Sequence, residues 1–347
     1  MNDKGFDYWD FFAADAHRNG APLYEQFALG VGRDETLKQF ANGVRPGQPP
    51  ANILFGGVHY LLLRGADHPL RRFYPNLNGG RRESDLSAAF PAFRDFVETH
   101  REELAPLIRT RVTNTNEVGR SALLHAGFRA LARAAGEPLH LIEIGPSAGL
   151  NLIWDRYSVC YIRGSERICA GADDAALVLT AELRGEKRPP AGRTPRIASR
   201  LGLERNPVDL TQDEERDWLK ALVWPDHIAR FANLERALAI HAASSPPPIR
   251  EGDALELLPE ALAAIPQSET ACIYHSMVTY QFSEENRAAL DDLLVAASLR
   301  RPVWRLSFEG TLSGDAPLIL HGYRDGIREK HLLALCQPHG AWMEWRA

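Results

Sequence analysis

Residues 139–154 read LHLIEIGPSAGLNLIW, in which an apolar run, a turn and a second apolar run follow one another. Glycine in the turn supplies unusual backbone angles, and Pro146 interrupts regular structure. The pattern predicts a buried β-strand at 139–144, a tight turn at 145–149 and a helix after it. In open α/β sheets, the turn that follows the first strand is a common ligand-binding position. We therefore look for function first at residues 145–149.

Short apolar runs recur after this turn and alternate with helical segments. Strands are predicted at 157–162, 177–183, 197–204, 271–275 and 303–308. The last segments, 318–323, 332–335 and 341–345, are typical of antiparallel strands. Alternating strands and helices predict an α/β fold with a mostly parallel sheet, helices on both faces and antiparallel C-terminal strands.

The sequence before residue 136 has a different character. Leu124, Phe128 and Leu131 recur at helical spacing, and clear alternating patterns are absent from this part of the sequence. We predict a helical N-terminal cap over residues 1–135, which covers the ligand cleft, and an α/β domain over residues 136–347. Two predicted strands that flank a polar loop indicate an insertion at about 157–195.

Charge and composition narrow the classes of partner. The chain has 347 residues, of which 45% are hydrophobic, and Lys+Arg minus Asp+Glu is 40 − 45 = −5. This balance indicates a globular protein without an overall basic charge for nucleic acid or an anionic membrane. No apolar run reaches the roughly 18 residues that span a bilayer, and residues 1–5 lack a signal-peptide core. We expect a small-molecule substrate, no nucleic acid and no membrane.

The cysteines indicate neither a zinc site nor a framework of disulfides. Cys160, Cys169, Cys272 and Cys336 lack the paired spacing that either would need. The histidines likewise form no compact ligand set in the sequence. We therefore predict reduced thiols in a cytoplasmic protein with no metal.

Two well-known chemistries fit the turn poorly. A dinucleotide site needs the pattern G-x-G-x-x-G, but here Pro146 has no N–H and Ser147 carries a side chain where that pattern has glycine. The turn does satisfy G-x-S-x-G, which would make Ser147 the nucleophile of a serine hydrolase, with His275, His321 or His339 downstream. Such hydrolases have several strands before this turn, whereas the preceding sequence indicates helices.

S-adenosylmethionine is a third candidate ligand. It carries no phosphate, so its site needs close backbone approach and acidic side chains more than an array of amides. Glu143 and Glu204 lie at the ends of the predicted strands 139–144 and 197–204, and Asp253 follows a further short strand that begins at Ile249. Glu143 would meet a cationic amine or an ordered water, Glu204 a ribose diol and Asp253 an adenine amino group. Each acidic residue could instead be solvated or cap a helix.

Other side chains are candidates at the same edge of the sheet. Arg120 could pair with a cofactor carboxylate, and Asn116 and Glu117 could bind cofactor or substrate, although residues here could also cap the next helix. His275 is the candidate catalytic base because imidazole titrates near neutral pH. It could equally be a structural histidine, since methyl transfer depends mainly on positioning. Tyr280 and Glu309 are candidates at the rim of the site, Tyr280 for binding substrate.

Several strings resemble one family across nearly the whole chain. They are TNEVGR at 115–120, EIGPSAGLNL at 143–152, NPVD at 206–209, ALVWPD at 221–226 and PHGAW at 338–342. Together they are similar to the uncharacterised domain-of-unknown-function family 2332. The resemblance implies a Rossmann-like fold of the class I methyltransferase type behind a helical N-terminal region.

The same resemblance implies roles for individual residues. The turn with Gly145, Ser147 and Gly149 would face the methionine part of the cofactor, and Glu204 its ribose. Asp253 and Ala254 would contact adenine, while His275 and Ser276 would lie beside the transferred methyl group.

We therefore expect a methyltransferase that uses S-adenosylmethionine and acts on an unknown small molecule. The alternative is a non-catalytic module that binds S-adenosylmethionine or S-adenosylhomocysteine. A serine hydrolase that uses Ser147 is the third hypothesis.

Overall fold

A computed structural model describes residues 7–310 and 314–347. The chain divides into two compact units, the first formed by residues up to 115 with 209–235 and the second by 116–208 with 236–347. Residues 1–5, in which the sequence shows no signal-peptide core, lie outside the described residues. None of the helices in the described ranges combines the length and the apolar character that crossing a bilayer requires.

The helices and strands have the following bounds. The α-helices are α1 (Tyr8–Arg18), α2 (Pro22–Val31), α3 (Glu35–Ala41), α4 (Pro50–Leu63), α5 (Ala89–Thr99), α6 (Arg101–Thr110), α7 (Ser121–Ala135), α8 (Asp213–Ala221), α9 (Ile228–Ala242), α10 (Ala254–Ala263) and α11 (Glu284–Ser298). The strands are β1 (Leu139–Ile144), β2 (Ser158–Arg163), β3 (Glu166–Ala170), β4 (Val178–Arg184), β5 (Ile197–Glu204), β6 (Ile249–Glu251), β7 (Thr270–Ser276), β8 (Val303–Phe308), β9 (Ala316–Arg324), β10 (Ile327–Cys336) and β11 (Trp342–Trp345). Short 3-10 helices cover Pro69–Phe73, Pro75–Leu77, Val118–Arg120, Leu150–Arg156 and Thr279–Gln281.

The first unit is helical and has an aromatic core. Phe55 of α4 packs against Phe27 and Phe93, with ring centroids 5.7 and 5.5 Å away. Aromatic side chains bury large apolar areas and supply much of the stability of such a core. Trp218 of α8 belongs to the same core, which explains why residues 209–235 fall in this unit.

The second unit contains one sheet of eleven strands among the described residues, in the order β3-β2-β4-β11-β10-β9-β8-β7-β1-β5-β6. Strands β6, β5, β1, β7 and β8 pair in parallel, whereas β8, β9, β10 and β11 pair antiparallel. The prediction of a mixed α/β fold with a mostly parallel sheet, antiparallel C-terminal strands and a helical N-terminal region is confirmed.

Helices cover both faces of this sheet. Gly127 of α7 lies against Leu306 of β8. α10 and α11 pack with Ile273 and Val303, whose side chains are on the other face. The chain therefore divides at residues other than those predicted: α7 belongs to the sheet unit, while residues 209–235 belong to the helical one. An apolar helical pattern identifies a buried face but does not say which core buries it.

The predicted insertion extends the sheet. It contributes β2 and β4, as expected, together with β3, which the sequence analysis did not predict. Cys160 and Cys169 lie opposite each other in the β2–β3 hairpin and form a disulfide. The prediction of reduced thiols is therefore wrong for this pair, because the register of the hairpin places two cysteines nine residues apart directly opposite each other. Cys272 and Cys336 are buried and free.

Candidate functional site

The turn at residues 145–149 lies where the strand order reverses. After the insertion that holds β2, β3 and β4, the chain adds β5 and β6 on one side of β1, and then β7 and β8 on the other. The carboxyl ends of these parallel strands meet at one edge of the sheet. Open α/β sheets bind ligands at such reversal points, so the predicted position of the site agrees with the topology.

The backbone of the turn is left-handed at three residues. Gly145, Ser147 and Gly149 have φ values of 67°, 56° and 78°. A Cβ atom on Gly145 would lie 2.6 Å from Val278, and one on Gly149 would lie 3.1 Å from Ile249. The backbone angle favours glycine at both positions. At Gly145 an added Cβ would also force Val278 to shift, whereas at Gly149 it would make only a tight contact with Ile249. The helix predicted after the turn is a 3-10 helix that begins at Leu150.

Amide groups of the turn are used within the protein. The N–H of Ser147 donates to Glu204 over 2.9 Å, and that of Gly145 donates to the carbonyl of Leu203 over 2.9 Å. The N–H of Leu150, directly after the turn, donates to Asn116 over 2.9 Å. Pro146 has no N–H to offer. Phosphate sites depend on several backbone N–H groups that point at the ligand. These bonds therefore disfavour a phosphate-bearing ligand at the turn.

Glu143 of β1 is a buried acid beneath this turn. Its side chain accepts a hydrogen bond of 2.9 Å from the hydroxyl of Tyr274, and the residue is 1% exposed. Burial raises the pKa of Glu143 to about 8, and the nearby charge of Glu204 acts in the same direction. The hydrogen bond from Tyr274 opposes this shift but does not cancel it. Glu143 therefore remains mostly protonated at neutral pH.

A buried polar network surrounds Glu143. The Tyr274 hydroxyl lies 3.2 Å from the carbonyl oxygen of Asn151, whose side chain accepts a hydrogen bond of 2.7 Å from Ser121. The side chain of Asn151 donates in turn to the carbonyl of Glu117 over 3.3 Å. Sequence reasoning missed Tyr274, Asn151 and Ser121. Of these three, only Asn151 could have been found from the sequence, because it belongs to the family-like string EIGPSAGLNL at 143–152. Tyr274 lies in an apolar strand, where the sequence does not distinguish it from a core residue.

The residues before α7 hold the local backbone. Glu117 accepts the N–H of Gly119 over 3.0 Å and so caps the 3-10 helix Val118–Arg120. The sequence leaves a capping role open for Thr115 or Asn116 instead. Arg120 donates to the carbonyls of Pro338 and Ser276 over 3.1 and 3.0 Å. Arg120 thus links the end of β7 to the turn before β11. Asn116 and Glu117 are buried, at 8% and 7% exposure.

Glu204 lies at the end of β5 and reaches the turn. Besides the N–H of Ser147, it accepts that of Asn206 over 3.0 Å. A carboxylate has about four lone-pair positions, so two such bonds leave acceptor capacity for a ligand. The structure brings Glu204, Ser147 and Asn116 together around the turn above Glu143.

Asp253 and Ala254 lie at the start of α10. Asp253 accepts the N–H of Leu255 over 2.8 Å and forms an ion pair with Arg205. The hydrogen bond from Arg205 lowers the pKa of Asp253. The capping alternative is therefore confirmed for Asp253. The side chain of Ala254 packs in the apolar core under α10, so only its backbone faces the strand ends.

His275 points away from Glu143. Successive side chains of a strand alternate between faces, and the preceding residue, Tyr274, bonds Glu143. The Nδ1 atom of His275 lies 2.5 Å from Glu309, and its Nε2 is buried without a hydrogen-bond partner among the described residues. Glu309 also accepts the N–H groups of Val278 and Tyr280. The pair thus orders the segment after β7.

The electrostatics of Glu309 differ from those of Glu143. Burial alone would raise the pKa of Glu309, but the hydrogen bond and charge of His275, with backbone N–H groups, lower it below the usual value. The side chain of Tyr280, predicted to bind substrate, is on the surface, since the residue is 62% exposed.

Two histidines proposed as bases for Ser147 have other partners. His275 bonds Glu309, and His321 lies 3.2 Å from the hydroxyl of Ser307. His339 lies 3.8 Å from Glu117.

Within residues 7–310 and 314–347, no group of three or more His, Cys, Asp or Glu side chains is arranged to hold a metal ion.

Comparison with known proteins identifies one family. The model of an uncharacterised protein conserved in bacteria (DUF2332) matches residues 8–345. No curated protein matches the chain significantly.

Proposed function

The chain belongs to the uncharacterised bacterial family DUF2332, and from its site we propose that it is a methyltransferase that binds S-adenosylmethionine at the turn after β1. The observation that carries this proposal is Glu143, buried beneath a turn whose amides bond within the protein. Burial raises the pKa of this acid to about 8. Such a site suits a ligand that has a cationic amine and no phosphate.

The order of the parallel strands supports a nucleoside ligand. Numbered among themselves along the chain, the five parallel strands have the order 3-2-1-4-5. This is the order of Rossmann-like doubly wound sheets, including the class I methyltransferase type that the sequence resembles. The mismatch with G-x-G-x-x-G separates the proposal from a nicotinamide or flavin enzyme.

The acidic residues fit the parts of the ligand unequally. Glu143 would meet the amine of the methionine part, because a nearby cation favours the ionised form of an acid. Glu204 has remaining lone pairs for a ribose diol. Asp253 is already occupied by Arg205 and Leu255, so its adenine contact would require sharing these bonds.

In this proposal the protein contributes positioning more than proton transfer. S-adenosylmethionine supplies an electrophilic methyl group, and an acceptor held in line with it needs a base only if it must lose a proton. Glu309 already holds Nδ1 of His275, and the side chain of His275 is on the face opposite Glu143. We therefore propose that His275 orders residues 278–280 through Glu309, in place of the base role expected from sequence.

Calorimetric titration of the full chain with S-adenosylmethionine, S-adenosylhomocysteine, NAD and adenosine tests the proposal. We expect micromolar binding of both sulfur nucleosides and none of NAD. Glu204→Gln should weaken binding about 10-fold or more, because it removes a charged acceptor. The control is Glu256→Gln, an exposed residue in the first turn of α10. If neither sulfur nucleoside binds, the proposal is refuted.

A further inference from the structure

A second cluster of reactive side chains lies at the opposite edge of the parallel sheet. Ser199, His140 and Glu269 lie at the amino-terminal ends of β5, β1 and β7, three neighbouring strands. The Ser199 hydroxyl is 2.7 Å from Nδ1 of His140, and Nε2 of His140 contacts a carboxylate oxygen of Glu269. A hydroxyl, an imidazole and a carboxylate thus form one hydrogen-bonded chain.

The carboxylate at one end of this chain determines which group donates and which accepts in each hydrogen bond. An ionised carboxylate only accepts hydrogen bonds, so Nε2 of His140 carries the proton that is shared with Glu269. Nδ1 is then left to accept from the hydroxyl of Ser199. This is the relation of nucleophile, base and orienting acid that activates serine in unrelated hydrolase folds.

The three residues differ in their exposure to solvent. Ser199 is exposed, His140 is 8% exposed as a whole residue, and the side chain of Glu269 is 35% exposed. The nucleophile therefore faces solvent while the imidazole is held within the protein. A serine–histidine pair that was wholly exposed on the surface would not hold the imidazole in one orientation in this way.

The strand that carries Ser199 is irregular at this point. Leu139 pairs with Ile197 and His140 pairs with Ser199, so Ala198 is an extra residue in β5. Such bulges redirect side chains and recur next to active sites. The bulge immediately precedes the residue whose hydroxyl meets His140.

The same strand has an open edge that can supply an N–H donor. Pairing of β5 with β6 begins at Gly202, whose N–H donates to Pro248 over 2.9 Å. Backbone N–H groups alternate between the two edges of a strand, so the N–H of Arg200 points to the same side, before the paired stretch begins. A donor on the residue after the nucleophile is a common part of an oxyanion hole.

An apolar groove adjoins the segment that carries Glu269. It lies between α10 and α11, has a volume of about 300 Å³ and is lined by side chains that include Leu262, Ile265 and Ala297. Arg301 lines the groove too, and it donates to the carbonyls of Ile265 and Glu269. The groove is suited to a short apolar acyl chain.

We propose that Ser199, His140 and Glu269 form a second catalytic site, which hydrolyses small carboxylic esters with short apolar acyl groups. The Ser199 oxygen bonds to the carbonyl carbon while its proton passes to Nδ1 of His140. The ester C–O bond then breaks, and the alcohol leaves with that proton. Water attacks the acyl-serine, gives a proton to Nδ1 that returns to Ser199, and releases the acid.

Hydrolysis of p-nitrophenyl butyrate by the full chain, with covalent labelling by a fluorophosphonate, tests this site. In the labelling, an oxygen–phosphorus bond forms at serine and fluoride leaves. We expect one label per chain, mapped to Ser199, and hydrolysis that falls at least about 100-fold in Ser199→Ala and in His140→Gln. Ser268→Ala, at an exposed serine beside Glu269, is the matched control and should retain both activities.

Glu269 acts through His140 and is a positioning residue. Glu269→Ala should lower kcat while leaving KM close to that of the parent, a separation that a general loss of structure would not produce. Melting temperatures of all variants should stay near the parent value. The proposal is overturned if no label forms, if the label maps to another residue, or if folded Ser199→Ala hydrolyses the ester as fast as the parent.

Discussion

Two glutamates of the sheet unit, the buried Glu143 and the partly buried Glu309, have pKa values shifted in opposite directions. Burial raises the pKa of Glu143 to about 8, whereas hydrogen bonds from His275 and from backbone N–H groups hold the pKa of Glu309 below its usual value. Glu143 is therefore a neutral acid and Glu309 a carboxylate at neutral pH. Such opposed shifts are typical of functional sites.

Replacing Glu143 should reveal the cost of its ionisation. Between its ordinary pKa of 4.5 and the folded value of about 8, the native state holds a proton that the unfolded state has lost. The contribution of Glu143 to stability therefore falls as pH rises through this interval. The parent should lose this contribution as pH rises, whereas Glu143→Gln has none to lose. We therefore expect the difference in unfolding free energy, variant minus parent, to increase by roughly 4 kcal/mol between about pH 5 and pH 8.

Urea unfolding of the full chain across this pH range measures the difference. Glu256→Gln, at an exposed glutamate, provides the comparison and should show little pH dependence relative to the parent. A constant difference between Glu143→Gln and the parent would mean that Glu143 is ionised in the native state.

At the scale of elements, the turn at 145–149 determines the geometry of the site. Gly145 and Gly164 both have positive φ, 67° and 58°, but only Gly145 has a close neighbour for an added Cβ atom, Val278 at 2.6 Å. Gly164→Ala should cost about 1–2 kcal/mol for the left-handed backbone. Gly145→Ala should cost at least about 1 kcal/mol more, because Val278 must shift.

Thermal unfolding of the two alanine variants compares these costs directly. Equal losses of stability would contradict this prediction, because they would mean that Val278 moves aside for the new methyl group without a measurable cost. A larger side chain at Gly149 would be a poorer probe of ligand approach. Gly149 combines φ 78° with a contact to Ile249, so valine there would disturb the fold as well as any ligand.

Individual elements were predictable where their apolar pattern is local. β1 and β8 have the bounds that the sequence predicts, 139–144 and 303–308. The disulfide between Cys160 and Cys169 was not predictable, since it depends on the register of a hairpin whose second strand, β3, has a weak apolar pattern. The helix expected after the turn is a 3-10 helix, because local periodicity does not distinguish the two.

The candidate site was predictable in position more than in detail. Reversal of strand order brings Glu143, Glu204 and the turn together, as strand ends and acidic residues suggested. The ion pair of Asp253 with Arg205 and the pointing of His275 to the opposite face were not predictable from spacing alone. Both depend on side-chain partners from other elements.

At the scale of the whole molecule, buried neutral histidines predict sensitivity to acid. Burial lowers the pKa of His59 to about 4, and those of His125 and His321 to about 3. Below pH 6.5 the unfolded chain binds protons that these residues do not bind in the native state. Stability should thus fall with decreasing pH by on the order of 1.4 kcal/mol per pH unit for each histidine.

Calorimetric melting at about pH 7 and pH 5 tests this expectation, with melting temperatures lower at the acidic pH. Glu143 has the opposite sign, since its stabilising contribution grows as pH falls towards 4.5. Glu143→Gln should therefore lose more stability than the parent over the same change. Melting temperatures that do not change between the two pH values would contradict buried, neutral histidines.

Counting the protons released when S-adenosylmethionine binds tests the central claim most directly. A ligand amine beside Glu143 should lower the pKa of this acid below neutral pH, because an opposite charge stabilises the carboxylate. Titrations at about pH 7 in buffers of different ionisation enthalpy should therefore show release of close to one proton per ligand bound, and none in Glu143→Gln. Binding without proton release would move the ligand away from Glu143, and no binding at millimolar ligand would contradict the S-adenosylmethionine site itself.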